Sequence, residues 1–489
     1  MTVEEKKRAV DLDYKKYVNI AELSLEKGKY ERCLAAISAA SQMLYNWNQT
    51  YTDDLLESLL QKAANSTKST KYHMKGEDEE SILFYDCFGL DVRGLALIYL
   101  KALGAIGKKI VYVVPESAQN KQTEIDKVCD EAGIQKVYYH AITPLNKLKE
   151  LQRIVSEISP KTAFLYTTPS DTSGIVAFMQ MENICRFQIN LTDHAFWLGV
   201  NAFDFCLEFR NYGSSISYFE RKVPKDKLIL LPYYPAINRD IEYQGMPEIC
   251  QGKKILFSGG SLYKTINDKG TYYKMVGDIL KRCKDTVFLY AGSGDTSFLN
   301  RLILEFPDRA CLIDERKDLF KLMENITVYL NTYPISGGLM MQYAAIAGKI
   351  PVSLMYGEEN SGILLNQKEC QIEYCTPDEL VDDVCKLLND AEYRCKREML
   401  LTGSVIDENI FRVQLKKAII EHSTDYNVDC HKIDTTDIRN DYMYRFDVEQ
   451  FRTKLARRSL ISLFPENRLY YLKRFGGGIT KIIKKVILR

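Results

Sequence analysis

Apolar positions in the first 70 residues fall at helical spacing: Ala21, Leu23 and Leu25, then Leu34, Ile37, Met43 and Leu44, with Gly28 between the two runs. They predict a helical hairpin and one further helix, closed by the polar stretch AANSTKSTKYHMKGEDEE, which reads as a linker. From Ser81 the pattern changes to apolar runs of strand length. SILFY is followed by a helix over 94–106, then by KIVYVV, KVYYH and TAFLY, with a helix over 145–158 between the last two. FQINLT and FCLEF continue the series. A second series starts near Lys254 with KILFSGG, TVFLYAG, CLI, VYLNTY and PVSLM, with helices over 272–283 and 338–347. Strands separated by 10–15-residue helical stretches predict a parallel, doubly wound sheet in each half. The join, LLPYYPAINRDIEYQGMPEICQGKK, is rich in Pro, Gly and Tyr, as a linker between domains would be.

The expected architecture is therefore α/β: a helical segment over 1–70, a Rossmann-like domain over 80–240, a second over 250–425, and a tail over 440–489. A length of 489 residues suits two or three domains. Two such domains in tandem would leave a cleft at the carboxyl ends of their strands, where open parallel sheets bind ligands.

Composition narrows the function classes. Hydrophobic residues make up 46% and mean hydropathy is −0.24, which fits a soluble protein. No apolar run reaches the ~18 residues of a membrane span, and the charged start MTVEEKKRAVDLDYKK offers no signal-peptide core. The 13 cysteines include no C-x-x-C pair, which points to a reducing compartment and a cytoplasmic location. Five histidines without paired ligands give a zinc site little support, and no metal or cofactor is expected.

Charge is uneven. Net charge is +1, yet residues 451–489 hold eleven Lys/Arg and one acid, leaving −9 for the preceding 450. Within that tail, Ile479, Ile482, Ile483, Val486 and Ile487 line one helical face, while Lys481, Lys484 and Lys485 fall toward the other. A basic amphipathic helix of this kind suits an anionic membrane surface, each basic residue contributing roughly 1 kcal/mol at low salt. The bland reading is a helix packed on the protein's own acidic body. Nothing resembles a groove-reading module, so nucleic acid is not expected as a partner.

The richest segment chemically is ILFSGGSLYKTINDKG. Gly259 and Gly260 follow a strand, where glycines let backbone N–H groups approach a phosphate, and Lys264 would reach a diphosphate as a point charge. A tight strand-to-helix turn would also need glycine without any ligand. In VYLNTYPISGGLMMQYAAIAGKIPVSLM, Ser336, Gly337 and Gly338 open a helix whose free N–H groups would favour an anion, and Gly348 closes it.

These two segments, in this order, resemble the nucleotide-sugar half of GT-B glycosyltransferases, in particular the O-GlcNAc-transferase-like family with its bacterial protein glucosyltransferases. The matching elements are Leu262-Tyr263-Lys264, Asn331-Thr332-Tyr333-Pro334, Ser336-Gly337-Gly338, Gly348 and Pro351-Val352. The resemblance implies a nucleotide-sugar donor, UDP-linked, held by Gly259, Gly260, Lys264 and the 336–338 helix start, with no bound metal. It covers residues 250–360 with specificity and 80–250 as architecture, and the family's TPR-bearing N-terminus has an echo in the first 70 residues that suggests a protein partner there. The family's ribose-binding acid is missing: Gln342 and Tyr343 stand at the nearest positions, and Gln342 would hydrogen-bond the ribose instead. Arg316 and Asp318, in CLIDERKDLFKLM, resemble the element that frames the base, although a solvated helix start explains them equally.

In the first domain, QINLTDHAFWLGVNAFDF places Asp193 and His194 at a strand's carboxyl end. His194 would be the general base on an acceptor hydroxyl, oriented by Asp193, with Trp197 stacking on a sugar. The alternative is a buried, hydrogen-bonded histidine with Phe196 and Trp197 in the core. The string T-D-H-A-F-W-L-G is similar to ones in polysaccharide-cluster glycosyltransferases. Asp91, in DCFGLDVRG, is a rival base, with Arg93 beside it to meet the acceptor. The loop TTPSDTSG faces the same way without a clear role, and Glu358 or Glu359 would reach donor sugar hydroxyls or lie on the surface.

The expected function is glycosyl transfer from a UDP-sugar to a lipid-linked glycan of a surface polysaccharide or to a protein, at the inner face of the membrane. Two other readings remain: an inactive GT-B protein that recruits a partner glycosyltransferase, which the missing acid near Gln342 favours, and a sugar-nucleotide epimerase, for which no carboxylate pair stands out.

Overall fold

The computed structural model describes residues 1–70, 78–92 and 94–457. Its elements group into two compact units. The first holds Met1–Ala96, Gly107–Cys206 and the segment 446–457; the second holds Leu97–Ile106 and Leu207–Arg445. The division falls earlier than the Pro- and Tyr-rich join, of which 231–247 has no regular element.

The chain opens with three helices, α1 (Val3–Glu26), α2 (Tyr30–Trp47) and α3 (Asp54–Thr67). Each start and stop has a local cause. Thr2 and Glu5 form a reciprocal capping box on α1, and Asp53 caps α3 through Leu56 N–H at 2.9 Å. Asn48 ends α2 in the left-handed region at φ 46°. The helices are not a separate module. Leu34, Ala36, Ile37 and Ala40 are fully buried, and α2 packs on two later helices, α6 and α7, bounded below. Ser38 and Ser41 donate to the carbonyls of Ser170 and Pro169 at 2.6 and 2.5 Å. Leu23, expected on an inner face, is exposed. Most of α2 is thus spent on this unit's own core.

The first unit continues as β1 (Asp78–Asp86), α4 (Ala96–Gly104, whose residues from Leu97 group with the second unit), β2 (Lys109–Pro115), α5 (Thr123–Ala132), β3 (Gln135–Tyr139), α6 (Pro144–Ile158), β4 (Pro160–Tyr166), α7 (Thr172–Met179) and β5 (Cys185–Ile189). After β6 (Phe205–Glu208) come α8 (Asn211–Phe219) and β7 (Leu228–Leu230). The sheet order is β3-β2-β1-β4-β5-β6-β7, and the pairings from β3 to β5 are parallel. Runs such as Ile82–Tyr85 and Val111–Val114 are buried throughout, as strands covered on both faces must be.

The second sheet is built from β8 (Lys254–Gly259), α9 (Thr271–Arg282), β9 (Thr286–Ala291), α10 (Ser297–Glu305), β10 (Ala310–Ile313), α11 (Leu319–Glu324), β11 (Val328–Leu330), α12 (Gly338–Ile346), β12 (Pro351–Leu354) and β13 (Glu373–Tyr374), followed by α13 (Pro377–Asn389), α14 (Ala391–Glu398) and α15 (Glu408–Glu421). Its order is β10-β9-β8-β11-β12-β13, all parallel. Its core joins Leu256, Phe257, Leu289, Val328 and Val352 to the inner faces of α9 and α13.

The chain closes through α16 (Thr436–Arg445) and α17 (Val448–Arg457). In α17 the path is back on the first unit: Phe446 meets Trp47 edge-on at 5.6 Å and Arg452 pairs with Asp13 at 2.7 Å. The basic amphipathic segment over 479–487 lies outside the described residues. Among the described residues no helix is long and apolar enough to cross a membrane.

One buried acid gives a pH-dependent expectation. Glu57 is 7% exposed; its Oε1 accepts Gly199 N–H at 2.7 Å, while Oε2 has no partner. Burial lifts its pKa to about 7. A carboxyl whose folded pKa lies above its unfolded value binds more protons when folded, so stability rises as pH falls from about 7 toward 4.5. Denaturant melts should show that the stability difference between wild type and Glu57→Gln moves by about 2 kcal/mol in favour of wild type from pH 7.5 to pH 5. Parallel pH profiles for the two proteins would contradict this.

Candidate active site

The second sheet changes its direction of progression between β8 and β11, with β9 and β10 on one side and β12 and β13 on the other. Loops leaving two such strands diverge and open a crevice at their carboxyl ends. Here they are also clamped to each other. Ile335 N–H donates to the Lys264 carbonyl at 3.3 Å, and the Lys264 ammonium donates to the Ser336 carbonyl at 2.9 Å. The two segments singled out in the sequence therefore meet at one place.

Local chemistry explains the shape of the first loop. Gly260 sits at φ +126°, open to glycine and strained for other residues. Its N–H donates to the Ala291 carbonyl at 2.9 Å. A Cβ on Gly292 would lie inside van der Waals contact with the Gly260 carbonyl oxygen and 2.9 Å from its carbon. The 3-10 turn Leu262–Thr265 then carries Lys264. It is pinned by buried Leu262 and by the Thr265 hydroxyl, 2.8 Å from both the Leu262 carbonyl and the Tyr273 hydroxyl.

The second loop runs from β11 to α12 through a cis Tyr333–Pro334 bond. Asn331 organises it, donating to the hydroxyls of Ser336 and Ser353 at 2.9 Å each and accepting Gly337 N–H at 3.0 Å. No side chain hydrogen-bonds as the N-cap of α12, which begins at Gly338.

Three charged side chains converge on this turn. Lys264 is half-buried; burial pushes its ammonium below the usual lysine value, with Glu359 opposing and Arg210 reinforcing the shift. Arg210 is 4% exposed. It holds the carbonyls of Glu359 and Ser361, and its guanidinium lies 4.5 Å over the Tyr212 ring. Glu359, also 4% exposed, accepts Ser336 N–H at 3.0 Å and lies 3.9 Å from the Arg210 guanidinium. The surface placement considered for Glu359 is thus corrected; Glu358 is the outer one, 2.6 Å from His431 Nε2. Arg210 and the role of Gly292 escaped the sequence reading. The only signal for Arg210 was its place just past FCLEF, at a strand's carboxyl end.

Other donor candidates are engaged elsewhere. The Gln342 amide donates to the carbonyls of Tyr233 and Ile363 at 3.1 and 3.2 Å, leaving only its buried Oε1 without a partner. Tyr343 donates to the Ala236 carbonyl at 2.7 Å. Arg316 pairs with Asp318 (2.7 Å from Nε) and holds the Gly245 carbonyl. Asp318 in turn accepts Gln244 N–H at 2.8 Å. The pair fastens the 243–245 segment, and the guanidinium lies 5.6 Å from the Tyr243 ring.

In the first unit, β5 ends at Ile189, so Asp193 and His194 sit in the following loop, not at the strand end. Their side chains do meet: His194 Nδ1 is 3.2 Å from Asp193 Oδ1. Asp193 is buried, while His194 keeps 24% of its side chain exposed. A proton on Nδ1 shared with Asp193 leaves Nε2 as the ring's lone pair. The loop is held by the helical segment. Asn48 donates to the His194 carbonyl and accepts Phe196 N–H, both at 3.0 Å, and Glu57 takes Gly199 N–H.

Trp197 is 4% exposed and packs edge-on to Phe203 at 6.1 Å; it is core, and its ring offers no sugar platform. Asp91 is also reassigned. Its carboxylate accepts Glu124 N–H at 3.0 and 3.2 Å and Ile125 N–H at 3.0 Å, capping α5 from a distance. Arg93 lies outside the described residues. The TTPSDTSG loop is structural: Asp171 caps α7 through Gly174 N–H and takes the Tyr85 and Thr167 hydroxyls and the Lys147 ammonium at 2.5, 2.9 and 3.0 Å.

No family model and no curated protein matches the chain. Solved structures do. An O-GlcNAc transferase of Thermobaculum terrenum aligns over 90% of this chain and 88% of its own, at 14% identity and a TM-score of 0.55. A glycosyltransferase from Rickettsia africae aligns over 71% of this chain and 100% of its own, at 13% identity and a TM-score of 0.50. A Listeria monocytogenes chain, provisionally assigned as a UDP-N-acetylglucosamine 2-epimerase, aligns over 71% and 97%, at 10% and 0.51. At such identities the likeness establishes architecture, and with the two doubly wound sheets it does so plainly: the chain has the GT-B fold.

Proposed function

We propose that the chain is a glycosyltransferase that takes a sugar from a nucleotide-sugar, UDP-linked, and delivers it to an acceptor hydroxyl. The observation that carries this reading is the clamp at the switch point of the second sheet, where the Lys264 ammonium bonds the Ser336 carbonyl beside the start of α12, a helix without a side-chain N-cap. A diphosphate there would accept N–H groups and an ammonium in a partly desolvated setting, and the leaving group's growing charge would be stabilised most. His194, oriented through Asp193, would deprotonate the acceptor from Nε2. That role is in keeping with an inverting displacement. The acceptor would be a lipid-linked glycan or a protein, with the basic residues beyond 457 drawing the enzyme to an anionic membrane from the cytoplasmic side.

The test is turnover of a panel of UDP-sugars. Wild type should release or transfer sugar. His194→Ala should lose about 100-fold or more of that rate while binding UDP within about twofold of wild type, since His194 belongs to the other unit. Undiminished turnover in His194→Ala would remove the base assignment. The inactive, partner-recruiting reading draws on one observation, the Gln342 amide spent on two carbonyls where the resemblance leads one to expect an acid; a wild type that binds UDP but turns over no UDP-sugar would favour it.

A further inference from the structure

The carboxylate of Glu359 lies on the turn into α12, at the site proposed above for the donor's diphosphate. Its Oε2 accepts the Ser336 N–H on the turn into α12, the same residue whose carbonyl receives the Lys264 ammonium, and its Oε1 faces the Arg210 guanidinium. One carboxylate among two cations and a helix N-terminus, which carries roughly +0.5 charge, leaves the cluster positive. Among the described residues no carboxylate oxygen lies within 4.0 Å of the Lys264 ammonium: its hydrogen bond goes to a neutral carbonyl. Burial of so much positive charge favours an anion of greater charge than one carboxylate.

Arg210 Nη1 grips the backbone carbonyls of Glu359 and Ser361, whereas Nη2 faces the carboxylate, so the backbone of the turn is held independently of the Glu359 side chain.

We propose that Glu359 is a built-in competitor for the donor diphosphate: it fills the anion site of the empty protein, swings out when a nucleoside diphosphate enters, and frees Arg210 and Ser336 N–H to join Lys264 in binding it. This rests on the donor-site reading above, and it adds Arg210 to the binding residues and a displacement step to donor entry. A nucleotide that fails to deliver a diphosphate would leave the carboxylate in place, so the device would discriminate against nucleoside and nucleoside monophosphate.

The experiment is calorimetric titration of the full chain with UDP and, separately, with inorganic pyrophosphate. Wild type, Glu359→Gln and Glu359→Asp are compared. Gln keeps an oxygen for Ser336 N–H but not the charge; Asp keeps the charge but falls short of the N–H. Glu359→Gln is expected to bind both probes about 10-fold tighter than wild type, a change of about 1.4 kcal/mol, with Glu359→Asp between them. If wild type binds UDP and neither variant binds it tighter, the competitor role is overturned while the donor site stands. If UDP binds none of the three but pyrophosphate binds Glu359→Gln tighter, the competitor role stands and the nucleotide-sugar reading falls. If neither probe binds any of them, both fall.

Discussion

Gly292→Ala is expected to abolish nucleoside-diphosphate binding and to lower the stability of the second unit by about 3 kcal/mol. The new methyl group would meet the carbonyl oxygen and carbon of Gly260, backbone atoms that cannot turn aside as a side chain would. Gly260 is itself held, its N–H on the Ala291 carbonyl and its φ at +126°. Relief therefore requires the loop after β8 to part from the loop after β9, and Lys264 rides on the former. Gly277→Ala is the control. It lies inside α9, its Cβ would come no closer than 3.8 Å to Leu302, and helix propensity makes it neutral or stabilising by up to about 1 kcal/mol. Thermal melts with and without UDP separate the two variants. A Gly292→Ala protein that melts like wild type and binds UDP would show that the close approach of the two loops is not needed.

Lys264→Ala is expected to weaken nucleoside-diphosphate binding by about 2 kcal/mol, roughly 30-fold, the scale of one hydrogen bond to a charged partner. The protein without ligand should melt close to wild type. The ammonium is desolvated beside Arg210 and bonded to a neutral carbonyl, so its removal relieves one unfavourable burial as it deletes one brace. Loss of fold without loss of affinity among the folded fraction would make Lys264 a structural residue only.

How much of this was legible in the sequence depends on what kind of statement is asked of it. Strands such as KIVYVV and TVFLYA announce themselves because a chain segment buried on both faces must be apolar along its length. That the two Gly-rich segments serve one site was implied by the family resemblance alone; the strand order that brings the loops after β8 and β11 together is seen only in the structure. Side-chain fates were not legible either. Asp91 looks like a reactive acid until α5, which starts some thirty residues later, supplies the N–H groups it caps. Trp197 looks like a sugar platform until Phe203 and the core cover it. Glu359, one of two adjacent acids in a loop, gives no sign that it turns inward while Glu358 turns out. For Asp91 and Glu359 the outcome is set by partners distant in sequence, which no local pattern encodes.

A nucleoside diphosphate held at the switch point of the second sheet should stabilise the native protein. The most direct measurement is the melting temperature of wild type and Lys264→Ala across a panel of nucleosides, nucleoside mono- and diphosphates, and nucleotide-sugars. A ligand at a hundredfold excess over Kd adds about 2.7 kcal/mol to the native state. Wild type should shift clearly upward with UDP or a UDP-sugar and little with uridine or its monophosphate, and Lys264→Ala should shift much less. No shift of wild type with any nucleotide, or an equal shift in both proteins, would contradict it.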